Sequence, residues 1–116
     1  MTKPFSLQTV LDLMQTRADE ATQQLARLIA NERDAREKLT MLQQYRDEYA
    51  NRFRQAAQKG LSPREWSNYQ AFLDLLDETV AVQTKAVAQQ AKNTEAGQAQ
   101  WKKKKKKLKA IDTLSD

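Results

Sequence analysis

The sequence contains no cysteine and no histidine, and only two glycines and two prolines occur in its 116 residues. The first two absences exclude disulfide bonds, thiolate nucleophiles, zinc sites built from Cys and His, and acid–base catalysis by histidine. No stretch approaches the roughly 20 apolar residues that span a bilayer, and no signal segment opens the chain. We therefore expect a cytoplasmic protein that is not an enzyme and that has no cofactor or metal site.

The scarcity of glycine and proline leaves the chain with few helix breakers. They stand at Pro4, Gly60, Pro63 and Gly97, and the stretches between them are rich in strong helix formers such as Ala, Gln, Leu, Lys and Glu. Much of the 40% hydrophobic content is alanine, which argues against a large globular core. We predict an all-α protein in which residues 1–116 form a single domain.

A heptad repeat runs through the first half of the chain. Fifteen positions alternate in spacing between four and three residues, and only Glu32 and Arg46 among them are not apolar. A 3.5-residue repeat is typical of a left-handed coiled coil, because a straight helix drifts off a fixed stripe. The repeat predicts one long helix whose narrow seam packs on a partner. The positions are Leu7, Leu11, Met14, Ala18, Ala21, Leu25, Leu28, Glu32, Ala35, Leu39, Leu42, Arg46, Tyr49, Phe53 and Ala56.

One strong break follows this repeat. Gly60 suits the left-handed conformation that ends a helix. Ser62 and Glu65 form a capping box, with Pro63 at the first helical position. Helices joined by so short a loop are antiparallel neighbours. We predict a long antiparallel two-helix coiled-coil hairpin, with helix 1 at about 6–58, a loop at 59–62 and helix 2 at about 63–112.

The second helix carries a weaker seam that matches the first. Folding the chain about Leu61 places Trp101 opposite Ala21, with Ala18 one turn away, so that a large residue meets two small ones as a packed seam requires. The same register places Tyr49 beside Leu73. The predicted positions are Trp66, Tyr69, Leu73, Leu76, Val80, Gln83, Val87, Gln90, Thr94, Gly97, Trp101, Lys104, Leu108 and Ile111.

Six of the eight aromatic residues lie near the predicted loop. Tyr45 and Phe72 fall outside both seams, so we expect them to be partly exposed. Together with Leu42 and Leu76 they have the composition of an interface core. The alternative is that these residues belong to ordinary packing at the edge of the seam. Self-association of the hairpin is part of this alternative.

Seven lysines are concentrated in residues 102–109, so the rest of the chain has a net charge of −2 although the whole carries +5. Residues 102–107 pass nearly twice around a helix, and with Lys109 they form what we call the lysine collar. Nucleic acid, an anionic membrane or an acidic protein cavity would attract it. The simpler interpretation is that the lysine-rich end of the chain is hydrated and only weakly attracts charged partners. Basic-zipper DNA readers place their basic region before the zipper, whereas these lysines follow the seam, so we expect no nucleic acid partner.

Residues 5–13, 42–49, 66–73 and 101–108 carry a family resemblance. The second contains a Tyr-x-x-x-Tyr motif, and the third contains Trp-x-x-Tyr-Gln-x-Phe. With these motifs flanking a short glycine-containing loop, nearly the whole chain resembles the FliJ family of the bacterial flagellar type III export apparatus. The uniform lysine run departs from that family, in which this segment mixes charged and polar residues.

The resemblance implies an antiparallel coiled coil similar to the rotor stalk of rotary ATPases. It implies an adaptor in flagellum biogenesis and protein export, peripherally associated with the inner face of the cell membrane at the flagellar base. Its implied partners are the hexameric export ATPase, the cytoplasmic domain of the export gate protein and export chaperones.

Two surfaces of this chain are candidates for those contacts. The resemblance places gate binding at Leu42, Tyr45, Tyr49, Phe72 and Leu76. The charge asymmetry suggests Lys102, Lys103, Lys105, Lys106 and Lys107 as the end that enters the ATPase ring. Two rival functions are binding of nucleic acid or another anionic surface through the lysines, and a purely structural coiled-coil oligomer.

Overall fold

The computed structural model describes residues 5–115, and the side chains of residues 6–114, as two long helices. Helix α1 runs Phe5–Lys59 and helix α2 runs Pro63–Ser115. No strand occurs within that range. The predicted fold class, an all-α antiparallel two-helix coiled-coil hairpin, is confirmed. Neither described helix contains a segment apolar enough to span a bilayer.

The loop uses the residues expected to end one helix and begin the next. Gly60 has φ of +100°, in the left-handed region that favours glycine, and its amide donates to the carbonyl of Ala57 at 3.2 Å. The Glu65 amide donates to Ser62 Oγ at 3.1 Å, and the Ser62 amide donates to Glu65 Oε1 at 3.0 Å. These two bonds confirm the capping box. The backbone and hydroxyl of Ser62 stabilise the ionised Glu65 carboxylate, so its pKa lies below the usual value.

The burial pattern follows the predicted seams closely. All fifteen seam positions of α1 are buried or half-buried, as are those of α2 with one exception. The prediction was wrong for Trp66, whose side chain is 50% exposed. Trp66 lies in the first turn of α2, where Phe53 covers one face of its ring at a centroid distance of 4.9 Å. No earlier turn of α2 exists to cover the remainder.

The chain divides into two compact units. The hairpin unit is Arg33–Gln89, which contains the loop and the parts of both helices next to it. The terminal unit combines the described parts of Met1–Glu32 and Gln90–Asp116. Phe53, Leu76 and Val87 are the buried apolar side chains described in the hairpin unit, and Ala18 is the one described in the terminal unit.

Polar seam positions of the hairpin unit are satisfied across the two helices. Gln83 is buried, and its Nε2 donates to the carbonyl oxygen of Ala35 at 2.9 Å. Arg46 Nε donates to Asp77 Oδ1 at 2.6 Å, and this bond raises the pKa of Arg46. The Arg46 pair is largely exposed, so it orients the helices more than it stabilises them.

The seam of the terminal unit is held by small and hydroxyl-bearing residues. A Cβ on Gly97 would lie 2.5 Å from Leu28 Cδ1, so the glycine lets this leucine pack directly on the α2 backbone. Thr94 Oγ1 lies 3.3 Å from the Leu28 carbonyl oxygen and 3.1 Å from that of Gln90. Trp101 Nε1 donates to Thr22 Oγ1 at 2.9 Å, next to the predicted neighbour Ala21.

Candidate interaction surfaces

The aromatic rings of the hairpin unit form a continuous ladder across the two helices. Phe53 stacks on Tyr69 with centroids 5.2 Å apart, and Tyr69 contacts Tyr49 at 5.5 Å. Tyr49 then meets Phe72 edge-on at 4.7 Å. Such pairs contribute roughly 0.5–1.5 kcal/mol each beyond their area burial. We call Tyr45, Tyr49, Phe53, Trp66, Tyr69 and Phe72 the aromatic ladder.

The ladder leaves the seam at Tyr45 and Phe72. Their rings are 6.4 Å apart in an edge-to-face arrangement. Tyr45 is 42% exposed, whereas Phe72 is half-buried beneath its contacts with Tyr45 and Tyr49. This pair therefore presents a preformed apolar surface whose inner side is anchored in the seam.

The five candidate gate-binding residues differ in their accessibility. Tyr45 is exposed, and Leu42, Tyr49 and Phe72 are half-buried. Burial raises the pKa of the Tyr49 hydroxyl, since the charged form would be desolvated. Leu76 is only 6% exposed, so in this conformation its side chain supports the surface from below rather than contacting a partner.

The lysine collar lies on α2 in the terminal unit. Lys102, Lys103, Lys105, Lys106 and Lys107 are all exposed, whereas Lys104 is half-buried on the seam. The collar borders a groove between the two helices that is lined by Leu11, Asp12, Gln15, Lys105, Leu108, Lys109 and Asp112. The groove therefore combines two leucines with two lysines and two aspartates.

Several exposed apolar side chains were missed in the analysis of the sequence. Val10, Leu13 and Leu114 in the terminal unit are 39%, 45% and 73% exposed. Met41, Leu75 and Val82 in the hairpin unit are also exposed. Each lies between the seam positions of its own helix, so a search for apolar residues outside the heptad would have found them.

Exposed aromatic, apolar and charged side chains are the features that these surfaces offer. Within residues 6–114, no group of three or more carboxylates is placed to hold a metal ion. The prominent features are a partly exposed aromatic pair in one unit and a dense cationic collar in the other. Both are features with which proteins recognise macromolecular partners.

The sequence of the chain was compared with known proteins and protein families. Residues 2–116 match the profile of the family described as flagellar FliJ protein. The chain is 28% identical over its whole length to the flagellar FliJ protein of Salmonella typhi, covering 79% of that protein. It is 27% identical, with the same coverage, to the flagellar FliJ protein of Escherichia coli strain K12.

Proposed function

The chain belongs to the FliJ family and takes part in flagellar protein export, and we propose that it works there as a non-enzymatic adaptor. Its hairpin unit binds the cytoplasmic domain of the export gate, and its terminal unit engages the hexameric export ATPase. Coupling proceeds by contact between these partners and assists ATPase assembly and chaperone recycling. The protein associates with the inner face of the membrane through the export apparatus.

The contact between exposed Tyr45 and half-buried Phe72 is the observation that carries the gate-binding proposal. Ring contacts with Tyr45 and Tyr49 hold Phe72 in place. The surface that this pair presents therefore loses little conformational entropy when a partner binds. Leu42 and Tyr49 border the pair, while Leu76 supports it from the seam. Rigid aromatic anchors surrounded by apolar contacts are the usual composition of a binding hot spot.

We expect the double substitution Tyr45→Ala and Phe72→Ala to weaken gate binding roughly thirtyfold or more, equivalent to about 2 kcal/mol at a hot spot. Isothermal titration of the purified gate domain measures this change. Because Phe72 also packs on Tyr49, Tyr45→Ala and Phe72→Leu are also tested singly. Tyr45→Ala removes only the outermost ring of the ladder, and Phe72→Leu keeps most of the side-chain volume. Far-UV circular dichroism verifies that helicity is retained.

Ile29→Ala with Val82→Ala is the matched control, because it removes two exposed apolar side chains outside the aromatic surface. The control is expected to bind the gate domain as the wild type does. Wild-type affinity in Tyr45→Ala and Phe72→Leu would refute the gate-binding surface. Loss of helicity together with binding in the double variant would assign both residues to the fold.

The collar supports the assignment of the terminal unit to the ATPase ring. Its exposed lysines provide a dense positive charge around α2 on every side except the one that packs on α1, where Lys104 lies. A collar of this kind is attracted by an acidic pore lining whatever its rotational position. The proposed contact is therefore electrostatic and is expected to weaken as salt is added.

Neutralising the collar with Lys102→Gln, Lys103→Gln, Lys105→Gln, Lys106→Gln and Lys107→Gln is expected to abolish most stimulation of the export ATPase. Lys104 is retained because it is half-buried on the seam. Turnover of the cognate ATPase is measured with each protein in moderate salt. Equal stimulation by the variant and the wild type would exclude the collar from the ring contact.

A further inference from the structure

The collar lies in the same unit as three exposed apolar residues, Val10, Leu13 and Leu114. The groove beside the collar is lined by Leu11 and Leu108 together with Lys105 and Lys109, and also by Asp12 and Asp112, so the excess of positive charge here comes from the collar outside the groove. Val10 and Leu13 lie on α1 beside the groove-lining residue Leu11, and Leu114 lies one to two turns beyond Lys109. All three apolar side chains are exposed.

Positive charge predominates in this part of the chain. The facing segments 12–20 and 102–112 contain eight cationic and four acidic residues. Three of the four acids lie on α1, and Asp12 and Asp19 there accept hydrogen bonds from the side chains of Gln8 and Gln15. The exposed ammonium groups of the collar therefore outnumber the nearby carboxylates.

This combination matches an anionic bilayer surface. Each lysine near such a surface strengthens membrane association roughly fivefold, and the attraction falls off within a Debye length. Exposed apolar side chains add to it by entering the interface between headgroups and acyl chains. Long lysine side chains can remain with the headgroups while the apolar residues enter more deeply.

The same residues are poorly suited to nucleic acid. Single strands are bound by stacking bases on exposed aromatic rings. Trp101 is the one aromatic side chain described in the terminal unit, and it is half-buried with its indole N–H bonded to Thr22. The collar also contains no arginine, the residue that forms bidentate contacts with phosphate and with guanine.

We propose that the terminal unit binds anionic phospholipid membranes directly, through the lysine collar with Val10, Leu13 and Leu114. This contact is additional to any association that the export apparatus provides. Since one collar cannot serve a bilayer and a protein ring at once, the membrane-bound and ring-bound states exclude each other. The collar would then hold free protein at the membrane until a ring takes it up.

Sedimentation with lipid vesicles tests the proposal, using the full chain alone. We expect binding to vesicles that contain phosphatidylglycerol, and binding about tenfold or more weaker to vesicles of phosphatidylcholine. The five-lysine variant described above should lose about tenfold or more of the affinity for anionic vesicles. Circular dichroism verifies that the variant remains helical, as expected for exposed positions.

The matched control removes five exposed cations from the hairpin unit: Lys38→Gln, Arg52→Gln, Lys59→Gln, Arg64→Gln and Lys85→Gln. It has the same net charge as the collar variant and should bind anionic vesicles nearly as the wild type does. Equal losses in the two variants would show that only net charge matters, and would overturn the assignment to the collar.

A second variant, Val10→Ser with Leu13→Ser, tests the apolar contribution. It should bind anionic vesicles severalfold more weakly while keeping the salt dependence of the wild type. Wild-type affinity would exclude Val10 and Leu13 from the contact. Tight binding of an oligothymidylate probe without binding to anionic vesicles would overturn the membrane proposal in favour of nucleic acid. The assay contains neither ATPase nor gate domain, so its result is independent of the proposed function.

Discussion

Phe53→Ala is expected to lower the free energy of unfolding by about 3 kcal/mol. Phe53 is buried in the hairpin unit, where its ring stacks on Tyr69 at 5.2 Å and meets Trp66 at 4.9 Å. Truncation removes both ring contacts and leaves a cavity at the last aromatic position of α1 before the loop. We expect a loss near the lower end of the range for Phe→Ala substitutions. Two helices surround the ring on fewer sides than a globular core does. Urea denaturation followed by far-UV circular dichroism measures the change.

Phe53→Leu is the control for this substitution. It keeps most of the buried volume and should cost less than about 1.5 kcal/mol. The fluorescence emission of Trp66 provides a second measurement. It should shift to longer wavelength in Phe53→Ala, because water reaches the part of the indole ring that Phe53 contacts in the wild type. If Phe53→Ala and Phe53→Leu have the same stability, the ring contacts are not the source of the stabilisation.

Leu76→Ala is expected to lower the free energy of unfolding by about 2–3 kcal/mol. The Leu76 side chain is only 6% exposed, and Leu→Ala substitutions at buried positions cost about 2–5 kcal/mol. The adjacent Leu75 is 53% exposed. Leu75→Ala should therefore change stability by no more than about 0.5 kcal/mol. The two substitutions remove the same atoms from neighbouring positions, and denaturation midpoints compare them directly.

This pair also separates folding from binding at the proposed gate surface. We expect Leu76→Ala to weaken gate binding through disturbance of the helix packing beneath Phe72, with a matching loss of stability. Equal stability of the two leucine variants would contradict the burial of Leu76. Weakened binding by Leu76→Ala at unchanged stability would instead make Leu76 a direct contact, exposed when the gate domain binds.

Much of the fold follows from local pattern. The heptad repeat of α1 identified its buried positions because a helix presents every third or fourth residue on the same face. Gly60, Ser62 and Glu65 identified the loop because capping chemistry depends on residues close in sequence. The resemblance, carried by two aromatic motifs, indicated the family that the comparison later established.

The candidate surfaces were only partly predictable. The off-seam position of Tyr45 and Phe72 could be derived from periodicity, as could the density of lysines. Their ring contact could not, since it depends on the register between helices. The seam periodicity did predict the burial of Leu76 and the exposure of Leu75, although the resemblance placed Leu76 among the gate-binding residues.

The sequence by itself determined the helices, their seams, the turn and the location of charge, because each depends on the order of residues within one helix or loop. The tertiary structure decided the exception to the seam pattern and the contacts made across the seam. It left Trp66 exposed, let Leu28 pack against the Cβ-free backbone of Gly97, and directed Gln83 to the Ala35 carbonyl. These outcomes depend on side chains from the opposite helix, whose distance and register no periodicity within one helix specifies.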